Sequence, residues 1–201
     1  MQPVVLRSRR LVLRPPVKAD VDDITLACQD PATAAWISTV PVPYTRSDAE
    51  GFLEHVVVPG WASGHRLTWA IHSADPGAPL PLLGMVGLHG VADGSAEIGF
   101  WTSPWARGRG VMAQAVQLVL DHAFAAGGLD LQRVTWVAQV GNWPSRRVAW
   151  RAGFRVEGEI RLHALQRGVR HDAWVGTILR DDPREPSQAW PGASSRQPSE
   201  A

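Results

Sequence analysis

The chain has 201 residues, enough for one well-buried domain and short for two. Lysine plus arginine number 20 against 19 aspartate plus glutamate, so no global field draws nucleic acid or an acidic membrane, and any anion must be caught locally. Cys28 is the single cysteine, which excludes an intrachain disulfide, and the histidines show no paired metal spacing. No apolar run approaches membrane-spanning length, so a cytoplasmic monomer or homodimer with no metal, nucleic-acid or membrane partner is expected.

Arg10-Leu-Val-Leu-Arg14 alternates charged and apolar residues before Pro15-Pro16 and suits an edge strand. Val21, Ile24 and Cys28 fall at helical spacing and predict a helix over about 19–29, stopped at Asp30-Pro31. Cys28 lies in that apolar stretch with no histidine nearby and reads as a buried structural thiol. Ser47-Asp-Ala-Glu50 reads as a capping box opening a helix that carries Phe52, Leu53 and Val56. Three strand patterns follow as a meander: Leu67 to Ile71, Leu82 to Leu88 and Ala96 to Trp101. Val111, Ala115, Leu118, Val119 and His122 mark one face of a helix ended by Gly127-Gly128. A strand over Arg133 to Ala138 and a helix over Asn142 to Arg151 complete the pattern. The fold class is therefore α/β (α+β): a mixed, mostly antiparallel sheet flanked by helices, with at least one βαβ crossover. Residues 1–181 form one domain, and 182–201, rich in Pro, Ser and Glu, are expected as a flexible tail.

Arg107-Gly-Arg-Gly-Val-Met112 lies between a strand, its exit loop Thr102 to Ala106, and a long amphipathic helix. Glycines at alternate positions remove side chains where backbone must bend and approach a ligand. Amide donors at a helix start, with the macrodipole behind them, attract an anion such as a pyrophosphate, and Arg107 and Arg109 can add charge at the rim. A plain glycine-containing loop in an arginine-rich chain is the competing reading. No G-x-x-x-x-G-K-[ST] string is present, and the G-x-G-x-x-G pattern fails at Ala113.

This string resembles the Q/R-x-x-G-x-G/A signature of the GNAT N-acetyltransferases. Ala96-Glu-Ile-Gly-Phe-Trp, Pro104-Trp-Ala-Arg-Gly, Asn142-Trp-Pro-Ser145 and Arg151-Ala-Gly-Phe154 match in the same order, and together with Arg10-Leu-Val-Leu-Arg-Pro they are similar to the RimJ/RimL branch, over about Arg10 to Arg180. Met112 departs from the signature, where Gly or Ala is usual. The resemblance implies acetyl-CoA as co-substrate, held by Phe100, Trp101, Thr102, Arg107, Gly108, Arg109, Gly110, Val111, Met112, Asn142 and Ser145. It implies transfer of the acetyl group to a primary amine, at a peptide N-terminus or on a small molecule, by direct attack on the thioester. A transferase for another acyl-CoA such as succinyl-CoA, and a CoA-binding module with weak catalysis, are the alternatives.

Acyl transfer needs a neutral amine, although an α-amine titrates near 8 and a lysine near 10. The resemblance gives the base role to Glu97, which strand alternation puts on one face with Gly99 and Trp101; a salt-bridged structural glutamate is the alternative. The RimJ/RimL branch uses a glutamate whose place falls near Ala164 here, so that carboxylate is missing, and His163 or a water chain could replace it. Ser145 is expected to donate to the departing thiolate, with Asn142 beside it; an N-cap asparagine and a solvent-facing hydroxyl are the plain reading. The resemblance assigns the oxyanion to a backbone amide near Phe100 or Trp101. Tyr44 and Trp36 are expected along the acceptor groove, Tyr44 either as its wall or packed under a proline turn.

Overall fold

Short apolar alternation between polar turns builds β1 (Leu6–Arg7), β2 (Leu11–Arg14), β3 (Arg66–Ser73), β4 (Gly84–Ala92) and β5 (Ser95–Thr102), each antiparallel to the next. Helix α5 (Val111–Phe124) carries the chain to β6 (Arg133–Gln139), which pairs parallel with β5, the crossover that the sequence predicts. After α6 (Trp143–Arg151), the hairpin of β7 (Arg155–Gln166) and β8 (Val169–Leu179) returns antiparallel, giving an eight-stranded sheet in the order β1-β2-β3-β4-β5-β6-β8-β7. The computed structural model describes residues 1–75, 77 and 81–191.

Between β2 and β3 lie α1 (Val21–Gln29), α2 (Pro31–Ala34), α3 (Arg46–Phe52) and α4 (Val58–Ser63), the last two joined by a π-helical turn over Leu53–Val57. Asp20, 3% exposed, anchors this group to the sheet: it accepts from Arg14 at 2.7 and 2.8 Å and from the Val17 amide at 2.8 Å. Asp20 is buried while Arg14 is partly exposed, so losing Arg14 would leave a buried carboxylate without its main charge partner and destabilise this junction. On the other face, fully buried Ala115, Val119 and Leu120 of α5 belong to the same core as Trp69 and Trp136, while Trp69 meets the His122 ring edge-on at 6.1 Å.

Three expectations change. β2 is internal, because the two-residue β1 pairs outside it and takes the edge. The capping box sits two residues earlier: Thr45, in extended backbone, accepts from the Asp48 amide, and Asp48 accepts from the Thr45 amide at 2.8 Å, leaving Glu50 to pair with Arg46 at 3.0 Å. The long β7–β8 hairpin is new. β7 is mostly exposed, and its pairing shifts at Val156/Gly158 and Ile160/Ala164, which erases the period-2 pattern a sequence reading depends on. Of the expected tail, residues up to 191 lie against the helices: Arg184 stacks on Phe124 at 4.5 Å, and Trp190 packs on Trp150 at 5.3 Å. Residues 192–201 lie outside the described residues.

Candidate active site

The exit of β5 is fixed before the glycine loop begins. Ser103 donates its hydroxyl to the Leu82 carbonyl at 2.6 Å, Trp105 donates its indole N–H to the same oxygen at 2.9 Å, and the Ser103 amide reaches the Leu83 carbonyl at 3.0 Å. From this anchor the chain turns through Gly108 at φ +75° and Gly110 at φ +74°, left-handed values that favour glycine. No protein atom lies within 4 Å of where a Cβ would stand on either, so the concave side of the loop is open. Gly110 precedes α5 without a side-chain cap, so the first-turn amides of Val111, Met112 and Ala113 keep the orphan donors of a helix start. Met112, the departure from the signature, is 4% exposed and turns its methyl group onto Gly84, so its bulk is in the core and leaves the cradle clear. Arg107 differs from expectation: it pairs with Asp30 at 2.5 Å and donates to the Thr33 hydroxyl oxygen at 2.8 Å, tying the loop to the start of α2. Burial alone would raise the Asp30 carboxyl, but Arg107 and Thr33 hold it below the usual carboxylate range. Arg109 is exposed and carries no ion pair among the described residues.

Beside the loop the sheet comes apart. β5 and β6 pair from Ser95/Arg133 to Ile98/Trp136 and no further, although β5 continues to Thr102 against β4 and β6 to Gln139 against β8. The strands splay, and alternate backbone groups of Gly99–Thr102 and Val137–Gln139 lose their sheet partners. Phe100, Trp101 and Thr102 stand on the β5 side of this wedge, and on the other side β6 runs out through the turn at Gly141 to Asn142 and Ser145 at the start of α6. Asn142 caps that helix by accepting from the Ser145 amide at 3.2 Å, as the plain reading anticipates. Ser145 is half-buried, and its oxygen accepts from the Trp136 indole N–H at 2.9 Å. That contact uses an oxygen lone pair and leaves the serine proton free to be donated. Ser145→Ala is expected to slow turnover about tenfold with little change in CoA affinity, and Trp136→Phe to give part of the same loss; single-turnover kinetics with calorimetry separates the two.

On the opposite face of β3, β4 and β5 lies a cavity of about 580 Å³, roofed by α1, α3 and the segment 37–44. Tyr44, 7% exposed, lines it and has its hydroxyl pKa raised by burial first, with the charges of Cys28 and Asp48 adding to it. Trp36 stands elsewhere, its ring 3.7 Å from the Cβ position of Gly141 at the turn after β6. Cys28 also lines this cavity, with its thiol pushed up to about 12 by burial, which removes it as a nucleophile. The floor carries two residues that the linear sequence did not suggest. Arg66 donates from Nε to His89 Nδ1 at 2.7 Å, and His89 Nε2 lies 2.9 Å from the Cβ position of Gly99. Only cross-strand register, Arg66 against His89 and Gly87 against Gly99, brings them together. Desolvation, then the Arg66 charge, lowers the His89 pKa from 6.5 to about 4. Unfolded chain therefore takes up a proton that native protein refuses between those values, so this contribution is present above pH 6.5 and lost as pH falls toward 4. The contribution is about 3 kcal/mol at most. Chemical denaturation of wild type and His89→Gln at pH 7 and pH 4.5 should show the variant losing less on acidification.

Glu97 falls on the predicted face, opposite His89 on β4 and Thr135 on β6. It is solvent-exposed, and the sheet around it still removes enough hydration to raise its carboxyl above the ordinary range, with the His163 charge opposing. At the position where the branch carries a glutamate, Ala164 pairs with His171; Glu157 is engaged by the Thr177 hydroxyl. At the outer end of the wedge, Gln139 donates to Gln166 at 2.9 Å, Gln166 donates to the Ala35 carbonyl at 2.8 Å, and Arg167 to the Ala34 carbonyl at 2.8 Å. Arg167 and Gly168 both have positive φ, the tight turn that aims this arginine across the groove. A second depression, of about 530 Å³, lies at the far end of β5 around Asp93, Arg133 and Arg180, away from the loop. Among the described residues, no cluster of three His, Cys, Asp or Glu side chains could hold a metal ion, and no helix is long and apolar enough to cross a membrane.

A family model described as an acetyltransferase (GNAT) domain matches residues 10–155. The chain belongs to this family. Among its GNAT relatives, YdaF of Bacillus subtilis (strain 168), provisionally named a ribosomal N-acetyltransferase, is 36% identical over 101 residues, covering 49% of this chain and 54% of YdaF. The chain spans about half the length of curated relatives such as this one. Among solved structures, Mycobacterium smegmatis RimJ in complex with CoA-disulfide superposes with a TM-score of 0.74 at 22% identity, covering 88% of this chain and 86% of RimJ. RimL, a ribosomal L7/L12 alpha-N-protein acetyltransferase, gives 0.76 at 20% identity, covering 89% of this chain and 96% of RimL. At these identities the superpositions establish the GNAT fold.

Proposed function

We propose that the protein is a cytoplasmic N-acetyltransferase that moves an acetyl group from acetyl-CoA to a primary amine by direct attack on the thioester. The observation that carries this is convergence on the end of β5: the wedge of unpaired backbone and the apolar cavity share residues 99–101, and the glycine cradle follows on the anchored exit loop. The cradle fits a pyrophosphate, since it is open and rich in amides, and the one carboxylate bound to the loop, Asp30, is neutralised by Arg107. Gly108 to Met112 would hold that group, and the wedge edges of β5 and β6, with Asn142 and Ser145, would hold the pantetheine arm. When bound, the thioester supplies the activated acyl group.

The residues of the chain divide the remaining work. Glu97, with its raised carboxyl, accepts a proton from the ammonium form of the acceptor directly or through water. A backbone N–H at Phe100 or Trp101 faces the oxyanion, and Ser145, oriented by Trp136, donates to the thiolate; a thiol of pKa near 8.5 demands little help. Tyr44 and the segment 37–44 wall the amine side. The relatives named for ribosomal proteins favour a peptide α-amine, and a small amine suits the same cavity. Free thiol should appear when protein and acetyl-CoA meet a panel of peptide α-amines and small amines. CoA binding with no thiol release on any amine would reduce the protein to a CoA-binding module, and efficient use of succinyl-CoA over acetyl-CoA would change the acyl group.

A further inference from the structure

Arg66 and His89 form a polar pair on the floor of an otherwise largely apolar acceptor cavity, and neither is needed by the chemistry proposed above. The Arg66 guanidinium has one recorded partner, His89 Nδ1, and no carboxylate within ion-pair distance among the described residues. Because an arginine can only donate, Nδ1 must accept, so the proton of the neutral ring is on Nε2. That N–H is beside Gly99, whose lack of a side chain gives the imidazole its room: a Cβ there would stand 2.9 Å from Nε2. Nε2 makes no hydrogen bond within the described residues, although it faces the cavity that Gly99, Phe100 and Trp101 share. The other charged residue of the lining, Asp48, belongs to α3 in the roof, where its Oδ2 accepts from the Thr45 amide at 2.8 Å and the Thr45 hydroxyl at 2.5 Å. The cavity therefore offers a cation and a fixed neutral N–H donor, and no acceptor of comparable strength on that floor.

We propose that Arg66 and His89 form an anion subsite that selects acceptors carrying a carboxylate near the reacting amine. This deepens the transferase reading and rests on it for the word acceptor. A carboxylate accepts charge-assisted bonds from the free guanidinium nitrogens and a further bond from His89 Nε2–H. His89 is a positioning and binding residue here, since its lone pair is engaged by Arg66 and is withheld from base catalysis. Two sources share this chemistry: the carboxylate of a free amino acid, and the side chain of an Asp or Glu at the first position of a peptide.

The test compares each amine with its uncharged counterpart: amino acids against their carboxamides, and peptides beginning with Asp or Glu against those beginning with Asn or Gln. Wild type should prefer one of the two carboxylate series by at least about tenfold in kcat/KM, and the series preferred identifies the source. Arg66→Gln should raise KM for that series about tenfold or more while leaving the carboxamides and acetyl-CoA affinity unchanged, and His89→Gln should give part of the loss. A binding readout independent of turnover uses N-acetylated amino acids and peptides: thermal stabilisation by the carboxylates, absent with their amides and absent in Arg66→Gln. Stabilisation without any acetyl transfer would leave the subsite standing and remove the transferase reading. Transfer with equal use of carboxylates and carboxamides, or an Arg66→Gln variant that weakens both alike, would overturn the subsite.

Discussion

Gly110→Val should lose at least about 100-fold in CoA affinity while remaining folded. Gly110 has φ +74°, where a β-branched residue costs about 1 to 2 kcal/mol, an amount most single domains survive. No protein atom waits within 4 Å of the new Cβ, so the valine meets open space and not a clash. On the proposed reading that open space belongs to the phosphates, so the isopropyl group would take their place. Gly108→Val, with the same backbone sign, should behave alike. Circular dichroism establishes folding and calorimetry reads affinity; a folded Gly110→Val that binds CoA as wild type does removes the loop from the site.

Glu97→Gln should lower turnover about 100-fold, with CoA affinity almost unchanged. A general base works only when ionised, and the hydration removed by the surrounding sheet has raised this carboxyl, so its ionisation is completed at higher pH than that of an ordinary glutamate. With Glu97 as the proposed base, the acidic limb that it contributes to the rate profile should disappear in the variant, leaving titration of the amine. Stability runs the other way. A raised carboxyl binds its proton more tightly in the native state, so the contribution is present below the ordinary carboxylate range and lost as pH rises through the raised value; Glu97→Gln should flatten that part of the stability profile. Near-wild-type rates across about pH 6 to 9, the window set by amine titration, would make Glu97 structural and pass its role to His163 or water.

What the sequence made legible is what local rules govern. The meander of β3 to β5, the crossover helix α5 and the start of α6 follow from short-range periodicity, caps and glycines, and their bounds fall within a few residues of expectation. The glycine loop could be read because its function resides in backbone, and backbone conformation is written in consecutive residues. Arg66 and His89 could not, because they lie 23 residues apart and meet only through strand register. Trp136 looks like one more core tryptophan until its indole N–H is seen on Ser145. Arg107 resembles a phosphate ligand in sequence, yet Asp30, 77 residues away, claims it. The hairpin of β7 and β8 was hidden by two register shifts and by a solvent-facing edge, where hydrophobic selection relaxes.

That hairpin has a further consequence through its tip. Gln166 and Arg167 reach across to the carbonyls of Ala35 and Ala34, segments about 130 residues apart in sequence, and Gln139 donates to Gln166, closing a cuff at the outer end of the wedge. These bonds tie the end of α2 to the hairpin tip through neutral amide oxygens, so added salt should leave the tie largely in place, while a denaturant that competes for amide hydrogen bonds should release the tip before the core opens.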